Sequence, residues 1–275
     1  MYTCYTPHLP FPSATVSPPA QVTTPPSSLD VFGEHQLVSQ LASLIANHLH
    51  IRRWCFKLNN SLHARGIAYC DVSPHLPCYS WLKKEKEWYG EKWNSAWAQE
   101  MAVKKIAEEL ADLLGQHTVM VDPAHFPTWG DFLAEIRRKG CLIQACPPSE
   151  SVTALTVSML IEPDGAVRML SAGDQVNPTP FWKWGVSVPQ TSVNPSALSA
   201  TVDSVAAACL ERGVRGHLSL DLVTFITPTT VSVTRIRHMQ LTNWGHVCTC
   251  TYLHSHCSYV HMYVYIYLYD IVYII

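Results

Sequence analysis

No Cys-x-x-Cys pair occurs in this sequence, although it carries 10 cysteines and 14 histidines; the tightest doublet is Cys248-Thr-Cys250. Thiols scattered in this way do not make a zinc site. Cys55, Cys70, Cys78 and Cys141 are each flanked by apolar or aromatic residues, the setting of reduced core thiols in an intracellular protein. Neither sign of charge dominates: 19 Lys and Arg against 21 Asp and Glu leave a net charge of −2 and no polycation argument for nucleic acid or anionic membrane. No Gly-x-Ser-x-Gly nucleophile elbow is present. No apolar signal segment opens the chain, so a cytoplasmic location is expected. Acids vanish from one long stretch, for neither Asp nor Glu occurs between residues 222 and 269. What is present, 275 residues of which 48% are hydrophobic, suffices for one or two cores.

Residues 1–30 form a Pro/Ser/Thr tract with too little apolar surface to fold, and are expected to be a disordered leader. Order is expected from Asp30–Val31, where Leu37, Leu41, Leu44, Ile45 and Leu49 recur at helical spacing. Two β-like runs follow, 52–58 and 66–72, joined by "NNSLHAR". A long amphipathic helix is predicted over 95–114, closed by Gly115. A second runs from the N-cap Thr128, with Asp131 in its first turn, to Gly140. Next come a strand in "CLIQA" and a hairpin, 153–162 against 166–171, across the turn Glu162-Pro163-Asp164-Gly165. A helix ending at Gly213 and a buried strand from residue 216 complete the pattern. Helices alternate with hairpins, which predicts α+β with mostly antiparallel sheet.

From His246 the character changes. Residues 259–267 alternate Tyr or His with Val, Met or Ile, the pattern of translated alternating purine–pyrimidine DNA. Residues 233–275 are therefore expected to be a non-homologous, repeat-like tail. A membrane helix over 259–275 is not favoured, because His261 and Asp270 lie within a stretch at the lower limit for a span.

The chemistry centres on two ions. Asp221 sits inside "GHLSLDLVTF", where an unpaired carboxylate is costly. Lys57 sits inside the strand-like "CFKL". The string "PPSESVTALTVSMLIEPDGAVRMLSAGDQV", followed by "VPQTSVNP" and "ERGVRGHLSLDLVTFITP", resembles the ATP-grasp-like domain family of IQ-motif-containing protein H over about residues 35–232. The resemblance implies two α+β subdomains, 31–147 and a partial 148–232, incomplete at the C-terminus, with ATP and Mg²⁺ as ligands. It implies nucleotide contacts from Lys57 and from Gln144, which stands where an acidic group is expected, and a metal ligand in Asp221. The same motif supplies Gly173, Asp174 and Gln175, to which no firm role attaches beyond capping or loop hydrogen bonds. On the residue alone, Lys57 reads better as a snorkelling surface lysine on an edge strand, and the resemblance brings the two readings level. Asp221 reads equally as a strand Asp satisfied by Arg215 or Arg168.

Three departures weigh against ligase activity. The Glu-x-Asn strand that completes the family's metal site has no counterpart after Thr230; the loop after Lys57 has one glycine, Gly66; and position 144 is Gln. The expectation is a pseudoenzyme, a nucleotide-cleft or interaction module, with an active carboxylate–amine ligase as the alternative. No IQ motif is present, so calmodulin is not an expected partner, while a nucleotide and other proteins are. Trp81, Trp88, Trp93, Trp97 and Trp129 sit among Lys and Glu; this is read as aromatic anchoring of amphipathic helices rather than a nucleic-acid stacking platform. Without its partner strand, the edge beside 217–226 is expected to be exposed and the domain marginally stable.

Overall fold

The computed structural model describes residues 25–59, 64–149 and 151–225, together with the backbone of 261–267. These form two compact units, one of residues 25–150 that returns for 177–184, the other of 151–176 and 185 onward. Each holds a five-stranded sheet, and every described strand pair is antiparallel.

In the first unit the elements run β1 (Ser27–Val31), α1 (Gly33–Asn47), β2 (Arg53–Leu58), β3 (Ile67–Asp71), α2 (Tyr79–Tyr89), α3 (Ala96–His117), β4 (Thr118–Met120), α4 (Trp129–Lys139) and β5 (Cys141–Ala145). The sheet order is β1-β5-β2-β3-β4, which makes β2 central. Alternation sends Trp54, Phe56, Leu58 and Ile143 into a core with Leu37, Leu41 and Ile45 of α1, Ile106 and Leu110 of α3, and Phe132 and Ile136 of α4. Helix α4 begins on a complete capping box, Thr128 with Asp131, and stops at Gly140 with φ of 76°, as its spacing predicts.

Two boundaries differ from expectation. Residues 27–30 are not leader: they belong to β1, whose backbone pairs with β5 and whose Ser28 hydroxyl donates to Gln40 Oε1 at 2.8 Å. Backbone pairing, which composition does not register, holds this polar segment. Helix α3 does not stop at Gly115 but continues to His117. An interior glycine costs the helix only about 1 kcal/mol, and the helix ends where Thr118 enters the sheet opposite Cys70.

The second unit holds β6 (Val152–Ile161), β7 (Val167–Val176), β8 (Gly185–Ser187), α5 (Pro195–Glu211), β9 (Gly216–Phe225) and β10 (His261–Tyr267), in sheet order β10-β9-β6-β7-β8. The β6–β7 turn closes as predicted: Gly165 takes φ of 92° and Glu162 donates its amide to Ala166. Helix α5 lays Leu198, Val202, Val205 and Cys209 on Leu155, Val157 and Met159 of β6 and Leu218, Leu220 and Leu222 of β9.

The edge beside 217–226 is not exposed. Backbone groups of β9 pair with β10 from Phe225↔His261 to Ser219↔Tyr267. An unpaired strand edge recruits a β-prone segment, and the alternating Tyr, Val and Ile of 261–267 is such a segment. The remainder of the expected tail, 233–260 and 268–275, lies outside the described residues, as do the strand expected after Thr230 and residues 60–63 of the loop after Lys57. Among the described residues no helix is long and apolar enough to cross a membrane.

Candidate functional site

Each unit buries one ion on the sheet face turned away from its helices. Lys57 is 6% exposed on the central strand β2, one position out of phase with the core residues Phe56 and Leu58, so it is not a surface lysine on an edge. Its Nζ donates to Gln144 Oε1 at 2.9 Å. The register sets Cys55 opposite Gln144 and Leu142 opposite Lys57, making Lys57 and Gln144 diagonal neighbours on one face. Thus the structure brings together the two residues expected to contact nucleotide. Gln144 is neutral, and this contact orients the ammonium without cancelling its charge.

The same face continues along β2. Cys55 and Cys146, both buried, interact; the Cys146 hydrogen bond, aided by the positive charge of Lys57, holds the Cys55 thiol below its usual range. Burial and the Cys55 contact push Cys146 well above it. Further on, Arg53 binds Asp71 in a two-point pair at 2.7 and 2.8 Å, and this pairing holds the Asp71 carboxyl below the usual carboxylate range. The Arg53 guanidinium also lies 4.5 Å from the Tyr69 ring centroid, and Phe181 packs on the same ring at 5.5 Å.

Asp221 is 1% exposed on β9, again out of phase with the core leucines at 220 and 222. It accepts from the Thr156 hydroxyl at 2.5 Å, and Gln175 donates its side-chain amide to Thr156 Oγ1 at 2.9 Å. Three strands therefore feed one relay, Gln175 on β7 to Thr156 on β6 to Asp221 on β9. Neither arginine weighed as a partner serves it: Arg168 pairs with Glu162 at 2.7 Å, and Arg215 donates to the Pro163 carbonyl at 3.1 Å. Thr156 escaped sequence reasoning. The available signal was a hydroxyl at an interior position of the strand "VTALTVSMLI", with phase opposite to Leu155 and Val157.

The rest of the "GDQ" triplet builds structure. Asp174 accepts from the Thr191 amide at 2.8 Å and from the Ser192 hydroxyl, fixing the "VPQTSV" loop onto β7. Gln190 closes that loop on itself through Val193, at 2.9 and 3.0 Å. At Gly173 a Cβ would lie 2.3 Å from Val186 Cγ1 and 2.7 Å from the Ser187 carbonyl, so only glycine admits β8 this close. The two motifs interlock.

Opposite Asp221 stand Thr156 on β6 and Tyr265 on β10, neither of them acidic. Among the described residues no group of three or more His, Cys, Asp or Glu is gathered to hold a metal ion. The tryptophans serve the core in part: Trp93 is buried and donates to the Ala46 carbonyl at 2.9 Å, and Trp129 packs 5.6 Å from Phe56, while Trp88 and Trp97 are exposed.

A sequence model of the family described as "IQCH-like, ATP-grasp" matches residues 13–241. The IQ motif-containing protein H of Danio rerio is 38% identical over 211 residues, which cover 76% of this chain; the chain spans one fifth (20%) of that protein's length. Among solved structures, the biotin carboxylase domain of Hydrogenobacter thermophilus 2-oxoglutarate carboxylase, crystallised with MgADP, ADP and bicarbonate, gives a TM-score of 0.42 at 15% identity, covering 74% of this chain and 33% of that one. D-alanyl-alanine synthetase A of Vibrio cholerae gives 0.37 at 9% identity, covering 74% and 46%. At these scores the assignment rests on the sequence matches.

Proposed function

This chain belongs to the IQCH-like ATP-grasp family, and from that membership we propose that it is a nucleotide-binding or protein-interaction module that performs no ligase reaction. Lys57 would face the phosphates as a fixed positive charge, and Gln144 would hold it in place while presenting an amide to the nucleotide. A neutral residue at 144 favours this reading, because a carboxylate there would cancel the lysine's charge.

The observation that carries the non-catalytic part is the register around Asp221. Magnesium beside a triphosphate is held through carboxylates, yet both strands paired with β9 place an uncharged residue opposite this one. The Asp221 carboxylate is moreover engaged by a hydroxyl that is itself held by Gln175. These residues do not fit a magnesium clamp. The family ligases' acyl-phosphate step has no support from them. An ATP-dependent carboxylate–amine ligase is the second reading, favoured by the survival of a buried lysine and a buried aspartate in the family's positions, and it requires a second acid beside Asp221.

Titration calorimetry with ATP tests the proposal. Saturable binding by the full chain, lost in Lys57→Ala, is expected. Absence of binding by the wild type would remove the nucleotide reading, and ADP release in the presence of an acyl acceptor would restore the ligase.

A further inference from the structure

The first unit contains a second candidate binding site, at the end of its sheet remote from Lys57. An open depression of about 670 Å³ is lined there by Leu49, His50, Arg52, Ser73, Tyr79 and Lys83. Arg52 directly precedes β2 and Ser73 follows β3, and the Arg52 carbonyl accepts the Val72 amide at 2.8 Å, so the two strand ends are tied together. Lys57 lies five residues further along β2, roughly 16 Å away at about 3.3 Å per strand residue.

The lining is chemically one-sided. It offers a guanidinium, an ammonium, an imidazole and a hydroxyl, and no carboxylate. Of the nearby acids, Asp71 is paired with Arg53 at 2.7 and 2.8 Å and also acts at longer range on Arg52, while Glu109 accepts the Cys78 amide at 2.9 Å. Among the described residues neither Arg52 nor Lys83 forms an ion pair. Lys83 is instead positioned by the Tyr79 ring, 4.8 Å from its ammonium, and that ring is anchored by its hydroxyl on the Leu49 carbonyl. Burial, followed by the positive charge of Lys86, holds His50 below the usual histidine range.

We propose that this depression binds a small phosphomonoester, with Arg52 and Lys83 as the counter-charges and the Ser73 hydroxyl as a further donor. Two cations match a dianionic phosphate, and the guanidinium presents the paired donors that phosphate oxygens accept. The volume leaves room for the organic part of the ligand beside Leu49 and Tyr79.

The test is titration of the full chain with glucose 6-phosphate at constant ionic strength, followed by NMR at the His50 imidazole and the Ser73 amide. Saturating shifts at both positions are expected, weakened about tenfold or more in Arg52→Gln/Lys83→Gln and unchanged in Lys57→Ala. Absence of saturation at these positions in the wild type, or wild-type affinity in the double variant, would overturn the proposal. Both side chains are exposed, so the double variant is expected to fold; should its circular dichroism be lost, the single variant Lys83→Gln supplies the same readout.

Discussion

The lysine-bearing unit and the aspartate-bearing unit solve the same problem differently. Each buries one ion on the helix-free face of an antiparallel sheet and gives it an uncharged hydrogen-bond partner. Lys57 reaches its partner in a single step across β2 and β5, beneath a core built by α1, α3 and α4. Asp221 depends on a hydroxyl that depends on an amide, so β7, β6 and β9 must all hold register, and α5 covers their other face. The lysine site needs one strand pairing, β2 with β5, to hold register, whereas the aspartate site needs two, β9 with β6 and β6 with β7.

Breaking the cores tests this contrast most forcefully. Phe56→Ala in the first unit should cost about 3–5 kcal/mol and Leu220→Ala in the second about 2–5 kcal/mol, by denaturant unfolding. The second should also disturb the Asp221 relay, whereas the first should leave it intact. Removing one link sharpens the comparison: Thr156→Val, which takes the Thr156 hydroxyl from a buried carboxylate, should cost about 1–3 kcal/mol, while Thr156→Ser should retain most of the stability. Deleting the α4 cap with Thr128→Ala should cost about 1 kcal/mol and act on the lysine-bearing unit. The smallest effect concerns acid. The Asp71 carboxyl is depressed by Arg53, so the pair contributes above the usual Asp range near pH 4 and its contribution is lost as pH falls below it. Both side chains are about a third exposed, which limits the effect to less than about 1 kcal/mol. Arg53→Gln should flatten that acid limb in a pH series of melting temperatures.

The elements with strong local signals could be read from the sequence: the capped helix α4, the Gly165 hairpin, the buried phase of β9. The α+β class followed from their order. The three places where the fold differs from the expected pattern have long-range causes that local sequence pattern does not carry. Strand β1 is mostly polar and held chiefly by its pairing with β5; α3 overrides a glycine because the sheet fixes its end; β10 comes from a segment whose alternation looks like a repeat, yet it satisfies an open edge. At the site, Lys57, Gln144 and Asp221 were visible as residues, but not the partner of each. Those depend on register, and a shift of one residue turns Thr156 to the other face. For the same reason Gln175 had no role until β7 was laid beside β6.

The central claim is that one carboxylate, with an uncharged residue opposite it on each paired strand, leaves nucleotide binding without a catalytic metal. Calorimetric titration of the full chain with ATP, in excess EDTA and in excess magnesium, tests it most directly. The account predicts closely similar dissociation constants in the two conditions and no ADP formed. Binding that requires magnesium, accompanied by ADP production, would contradict it.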